Sequence, residues 1–246
     1  MFNPVILIPC FNHADALASV ASRIADLSIP VIIIDDGSTQ SQSDKIRTIC
    51  ANNNYTYIHQ TPNTGKGAAM ITGFRAAHDM GFSHALQIDA DGQHDISDIP
   101  KFLSTAHQHP TALITGAPIY DSSAPKSRLI GRKITDFWVA IETLNRHMPD
   151  AMCGFRVYPL SATSKILRTL KFKRMGFDIE ILVKIFRTGT PIIPISTKVI
   201  YPPCGISHFR VWRDNFYISL LHTYLFITIP TWLITKAFKK CTKQSN

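Results

Sequence analysis

Along the first half of the chain, short apolar runs alternate with stretches whose apolar residues recur every three or four positions. The runs at 4–9 (PVILIP), 30–35 (PVIIID), 56–59, 85–89 and 111–115 are rich in β-branched residues and bounded by Pro, Gly, Asn or Asp, which predicts strands. Between them, 14–25, 43–51, 67–78 and 99–107 carry helical spacing. Strand and helix in steady succession predict an α/β domain with a mostly parallel central sheet and helices on both faces. Ligands of such sheets bind beyond the carboxyl ends of the strands. The suggestive loops all fall there: PCFN after the first strand, DDGST after the second, NTGKG before the third helix and DADGQ after the fourth strand. Beyond residue 120 the rhythm changes. A longer helix over 128–146, a short strand over 153–158, a helix over 177–187 and a strand over 192–201 interrupted by Pro194 are expected to complete the cleft.

Length refines this picture into one large domain over 1–210, with a nucleotide-binding half (1–120) and an acceptor half (121–210), followed by a membrane-associated segment over 211–246. Charge points the same way. The net charge is +9, but residues from Lys165 onward carry 14 Lys and Arg against 3 Asp and Glu, whereas the preceding residues sum to −2. The basic third is expected to face an anionic surface. Lipid is favoured over nucleic acid, because the aromatics there lie in an uncharged run rather than interleaved with cations. That run, Phe216 to Thr235, has 20 residues without a charge and is framed by Arg210, Arg213, Lys236, Lys239 and Lys240. As a helix it matches a bilayer's hydrocarbon thickness of roughly 30 Å. Pro230, His222 and the balanced flanking cations favour a helix lying in the interface over a span. Five cysteines without a Cys-x-x-Cys pair suggest a reducing cytosol and no structural zinc, and MFNPVILIPCFN shows no basic leader. The expected location is the cytoplasmic face of the inner or plasma membrane, peripheral or monotopic.

The chemistry concentrates in GFSHALQIDADGQHD (81–95). If the strand continues through Ile88, Asp89 and Asp91 emerge on one side of it, and two such carboxylates call for a cation between them. A hard divalent ion, Mg²⁺ or Mn²⁺, suits this oxygen set, with Asp89, Asp91 and the Gln93 amide as ligands and substrate phosphates completing the shell. Other phosphate devices are absent. NTGKGAA lacks the first Gly and the Ser/Thr of a Walker A motif, and the loop after the first strand has no G-x-G-x-x-G. Lys66 is then a candidate to stabilise a departing diphosphate. In the acceptor half, Asp178 and Glu180 are the only acids between Cys153 and Arg213. Asp178 is the first choice for a catalytic base if the acceptor is a hydroxyl, whereas a phosphate acceptor needs none. Arg156, His208 and Arg210, together with Glu180, are candidates for the acceptor or its phosphate.

Taken in order, LIPCFN, IIIDDGST, NTGKGAA, QIDADGQHD, CGFR and GFDIEIL resemble the family 2 glycosyltransferases, specifically the dolichyl-phosphate mannose synthase-like branch. The resemblance spans roughly residues 3–210. It implies a GT-A fold, a nucleotide-sugar donor, a divalent ion, and inversion at the anomeric carbon. It further implies that Pro9, Ile34 and Asp36 line the base and ribose pocket, that Asp89, Ala90 and Asp91 lie along the ribose and diphosphate, and that Asp91 and Gln93 hold the ion. Phe11 stands where the family often has Tyr, His13 where it often has Glu, and Ala117 where an Arg is common, which leaves that last role to Arg128 or Arg132. The expected activity is metal-dependent transfer of a sugar to a lipid-linked or other membrane-proximal acceptor such as a polyprenyl phosphate. The alternatives are a sugar-phosphate nucleotidyltransferase and a non-catalytic membrane-surface module.

Overall fold

An apolar run without a polar face can be buried only in a sheet covered on both sides, and the central strands take that position. The protein is described here by a computed structural model over residues 1–120, 126–199 and 211–244. Seven strands of these residues form one sheet: β1 Pro4–Cys10, β2 Val31–Asp36, β3 Thr56–Gln60, β4 His84–Gln87, β5 Leu113–Tyr120, β6 Arg156–Pro159 and β7 Ile192–Val199. Their order is β3-β2-β1-β4-β6-β5-β7. Every neighbouring pair is parallel except those of β6, which runs antiparallel to β4 and β5. The helices are α1 Ala14–Ile24, α2 Gln40–Asn52, α3 Lys66–Asp79, α4 Ile99–Gln108, α5 Lys126–Thr143, α6 Leu160–Thr163, α7 Phe177–Arg187, α8 Val211–Ile227 and α9 Ile229–Gln244.

Strand alternation divides β1 between two cores. Val5 and Leu7 join Phe74 of α3, Leu182 of α7 and Leu221 of α8 on one face. Ile6 and Ile8 join Leu17 of α1, Ile46 of α2 and Phe102 of α4 on the other. Helix α7 is the most deeply set, with eight of its residues buried; Asp178 and Glu180 lie in its first turn and Lys184 and Arg187 in its last, as the helix dipole favours.

Three expectations about elements change. β4 ends at Gln87, so Asp89 and Asp91 sit in the following loop rather than at alternating strand positions. β7 is continuous through Pro194, because it is an edge strand and a missing N–H costs little there. The C-terminal segment, expected to follow the domain, shares its core. Trp212–Phe238 is long and apolar enough to cross a membrane by length and composition, yet Asp214, Leu221, His222 and Leu225 are buried against the domain. His222 Nδ1 lies 2.8 Å from Glu142 Oε1, Arg187 donates to Leu225 O at 2.8 Å and Thr228 Oγ1 at 2.7 Å, and Trp232 Nε1 donates to Arg187 O at 2.9 Å. The docked face therefore runs along both helices.

Candidate active site

The two acids that end β2 organise the loops around the site. Asp35 is fully buried and accepts from Ser38 N, Ser43 Oγ and Tyr57 OH. Burial alone would raise its pKa, but these donors, Ser38 first, hold it below the ordinary carboxylate value. Asp36 accepts from Gln60 Nε2, Asn63 Nδ2, Thr64 N, Thr64 Oγ1 and Gly65 N. Asp36, expected in the ribose pocket, thus anchors the 60–65 loop. Ile34 and Pro9 are buried, Ile34 within the core of the α3 face, and Phe11 is half-buried.

The anchored loop delivers Lys66, the first residue of α3, to the carboxyl edge of the sheet. Gly65 precedes it at φ +104°, and a Cβ there would meet Lys173 O at 2.5 Å, so both conformation and space require glycine. The Lys66 ammonium bridges two carboxylates, donating to Asp89 Oδ2 and Asp178 Oδ2 at 2.9 Å each and lying 2.8 Å from Asp89 Oδ1. Burial would lower the lysine pKa, but Asp178 and then Asp89 reverse this and hold it above the ordinary value. Asp89 mirrors it: burial pushes up, while Lys66 and His94 pull the carboxyl well below its usual range. Gly154 closes the cluster from β6's side, since a Cβ there would stand 2.5 Å from Asp89 Oδ2 and 2.8 Å from Lys66 Nζ.

Asp178 is held from a second direction. Gln87 Nε2 donates to its Oδ1 at 3.0 Å, and Tyr158 OH donates to Gln87 Oε1 at 3.2 Å. Arg156, a candidate clamp for an acceptor phosphate, lies inside the domain. The side chain is fully buried, and its guanidinium donates to Thr115 Oγ1 (3.1 Å), Asp178 O (2.7 Å) and Ala151 O (2.8 Å), so it ties three segments together beneath the site. Glu180, the other acceptor-side candidate on α7, has partners within the fold. Also fully buried, it accepts from Lys171 N and Phe172 N and pairs with Lys184 at 2.7 Å, fixing the loop whose Lys173 O meets Gly65 and Gly67. His208 and Arg210 lie outside the described residues. Of the two arginines suggested in place of Ala117, Arg132 donates to Asp150 Oδ2 at 2.6 Å.

Asp91 differs from Asp89. One oxygen accepts Gln93 N at 3.0 Å, and among the described residues no ion pair includes Asp91. Burial, then the charge of Asp89, raises its pKa. A carboxylate under that repulsion is suited to a cation, and Gln93 is held next to it through its backbone N–H. Among the described residues no group of three or more His, Cys, Asp and Glu is placed to hold a metal ion by itself. With Asp89 already engaged by Lys66, Asp91 is the carboxylate whose chemistry fits a divalent ion.

Gln87, Gly154, Tyr158 and His94 were not singled out from the sequence. Gln87 had a signal, as the one amide within an apolar strand, and Gly154 lay within the quoted CGFR. His94 stacks on Phe155, with ring centroids 5.2 Å apart, and sits 3.7 Å from Asp89. Cys153 is buried, and burial pushes its thiol up to about 11, as expected of a structural cysteine.

The chain is similar to known proteins in sequence and in fold. The model of the glycosyl transferase family 2 matches residues 5–169. The undecaprenyl-phosphate mannosyltransferase of Micrococcus luteus is 24% identical over 209 residues, 82% of this chain and 85% of that protein. The UDP-N-acetylglucosamine–dolichyl-phosphate N-acetylglucosaminyltransferase of Methanococcus voltae is 24% identical over 213 residues, 80% and 85% of the two chains. In fold, the glucosyl-3-phosphoglycerate synthase of Mycobacterium tuberculosis, solved with Mn²⁺ and UDP-glucose, superposes with a TM-score of 0.67 at 15% identity over 93% of this chain and 79% of that one. The loops that gather Asp36, Lys66, Asp89, Asp91 and Asp178 at one sheet edge are thus set in a GT-A fold, and the chain belongs to glycosyl transferase family 2.

Proposed function

We propose that this glycosyltransferase moves a sugar from a nucleoside diphosphate donor to a lipid phosphate at a membrane surface, with inversion and with a divalent ion on Asp91 and Gln93. The observation that carries the choice of acceptor is the state of Asp178. Both its oxygens are engaged, one by the Gln87 amide and the other by the Lys66 ammonium. A hydroxyl acceptor would have to displace one of these two donors to reach the carboxylate, whereas an acceptor phosphate is already an anionic nucleophile. The named relatives that act on undecaprenyl and dolichyl phosphates support the same class.

In this reading an acceptor phosphate oxygen attacks the anomeric carbon as the bond to the donor's terminal phosphate breaks, and no proton changes hands. When bound, the ion supplies Lewis-acid stabilisation of the departing diphosphate. The chain's residues do the rest. Lys66 adds positive charge beside the diphosphate, Asp89 and Asp178 fix the ammonium in place, and Gln87, Tyr158 and Arg156 hold Asp178 from behind. Lateral docking of α8 and α9 on the domain supports an interfacial placement of the C-terminal helices, on the side of the membrane that holds the nucleotide-sugar. The proposed location is the cytoplasmic face.

The test is a transfer assay with labelled nucleotide-sugars and paired acceptors, a polyprenyl phosphate and the corresponding alcohol. Transfer to the phosphate alone, with Asp178→Asn retaining more than about a tenth of wild-type turnover, is expected. Efficient transfer to the alcohol, abolished by Asp178→Asn, overturns the reading.

A further inference from the structure

One side of α3 borders a cavity. Ala68, Ile71, Thr72 and Arg75 follow one another at i, i+3, i+4 and i+7, so they share one face of the helix. Across from them stands the 167–173 segment, and the space between has a volume of about 230 Å³. Buried Ile71, Leu167 and Leu170 form an apolar floor. The walls are polar: Gln60, Thr64 and Thr72 supply an amide and two hydroxyls, and Arg75, Arg168 and Lys173 supply three exposed cations. Among the described residues no carboxylate lines the cavity, and none pairs with any of the three cations. Exposed Lys45 and Arg47, by contrast, are matched at 3.4 and 3.3 Å by Asp15 and Asp44.

Cations that line one space of this size stand within roughly a Debye length of it, about 8–10 Å, so their fields add inside. The ligand such walls recognise is an anion with many acceptor oxygens, and guanidinium groups meet phosphate bidentately. The volume of about 230 Å³ lies below the roughly 300–1,000 Å³ of pockets for drug-sized ligands. It suits a phosphate with a small polar substituent and is too small to enclose a nucleotide-sugar. Lys66, Asp89, Asp91 and Asp178 are not in its walls, so the cavity is separate from the candidate active site.

The two sites nevertheless share structure. Gln60 Nε2 and Thr64 Oγ1 donate to Asp36 Oδ1 at 2.6 and 3.3 Å, and Thr72 Oγ1 donates to Gln60 Oε1 at 2.9 Å. On the opposite wall, Lys173 O accepts Gly67 N at 2.8 Å, one residue beyond Lys66. An anion that bridges Arg75 to Arg168 and Lys173 therefore ties together the two segments that meet at the first turn of α3.

We propose that this cavity is a second anion site, which binds a small phosphate-bearing ligand through Arg75, Arg168 and Lys173 and thereby steadies the chain around Lys66. The proposal depends neither on the acceptor nor on the divalent ion. It gives part of the basic C-terminal third a ligand of its own.

The test is thermal unfolding of the full chain in chelator, with inorganic phosphate or glycerol phosphate compared with sodium chloride at equal ionic strength. Wild-type Tm is expected to rise by at least about 3 °C at saturation. Arg75→Gln/Arg168→Gln is expected to lose the rise while its circular dichroism and its Tm in chloride match the wild type. Lys173→Gln, which keeps the backbone contact to Gly67, is expected to weaken phosphate binding at least about threefold. Exchange of the Gly65 and Gly67 amides with deuterium is expected to slow in phosphate for the wild type alone. A parallel arm uses phosphatidylcholine vesicles with or without phosphatidylglycerol. Weaker partitioning of the double variant into phosphatidylglycerol, by at least about tenfold, with no response to soluble phosphates, keeps the site and assigns it to a lipid headgroup. An equal Tm rise in wild type and double variant places the phosphate elsewhere, the active site included, and overturns the proposal. Absence of any phosphate response together with equal vesicle binding overturns it too. Binding without slowed exchange at Gly65 and Gly67 overturns the coupling to Lys66.

Discussion

Replacing Lys66 by Met removes the one ammonium that two carboxylates share while keeping most of the aliphatic stem. At an effective dielectric constant of about 20, each contact near 2.9 Å contributes about 6 kcal/mol of attraction, most of it offset by desolvation of the charges. Removing one partner of a buried pair costs roughly 3–5 kcal/mol. The lower end applies here, because Lys66 keeps 28% of its side-chain exposure and Asp89 24%. A loss of about 3 kcal/mol in a domain of this size lowers Tm by about 6–12 °C. The pH dependence gives the sharper test. In the wild type the lowered Asp89 pKa contributes stability above the ordinary carboxylate range, and this is lost only as pH falls through the lowered value. Without the ammonium, burial dominates and the carboxyl titrates above its ordinary value, so the variant gains relative stability as pH falls from 7 toward 4. Urea unfolding in chelator at both pH values is the assay, and the gap between the proteins is expected to be widest at pH 7 and to shrink by at least about 1 kcal/mol in acid. A gap of equal size at the two pH values would refute the argument that Lys66 neutralises this cluster.

Asp91→Ala is expected to abolish transfer and to remove the Mn²⁺-dependent rise in Tm, with the metal-free fold retained; full activity of the chelator-treated wild type excludes the ion. Gly154→Ala forces a methyl against Asp89 and Lys66, so transfer should fall at least about tenfold while secondary structure by circular dichroism is unchanged. Arg156→Met leaves three backbone or hydroxyl acceptors unpaired in the core and should cost about 3 kcal/mol in urea unfolding. Asp35→Asn should cost about 2 kcal/mol at pH 7; because the Asp35 pKa is lowered in the fold, the cost should fade as pH drops through that lowered value.

The sheet was legible because its central strands are buried on both faces and therefore written as unbroken apolar runs; β1 and β2 end within a residue of their expected limits. The helices of the first half followed from apolar spacing, and α7 was placed at its observed ends. Roles were harder to read than positions. Asp36, Arg156 and Glu180 are polar residues in suggestive motifs, and nothing in the local sequence distinguishes a charge that meets a ligand from one that holds a loop. That difference lies in partners far along the chain, such as Asn63 for Asp36 and Ala151 for Arg156. Helix α5 shows the same limit. Its period was visible in 128–146, but which of its sides is buried depends on where α7 and α8 pack.

The Lys66 bridge also bears on how the protein is made. Lys66 and Asp178 are 112 residues apart, and Gln87 and Asp178 are 91 apart. Contacts of such separation close after local ones, since the intervening chain must first lose its freedom. A growing chain that has emerged only as far as Asp91 carries Lys66, Asp89 and Asp91 without the second carboxylate that fixes the ammonium or the Gly154 that walls it in. Catalytic competence therefore arrives with the last third of the domain, and a truncated product lacks the assembled centre.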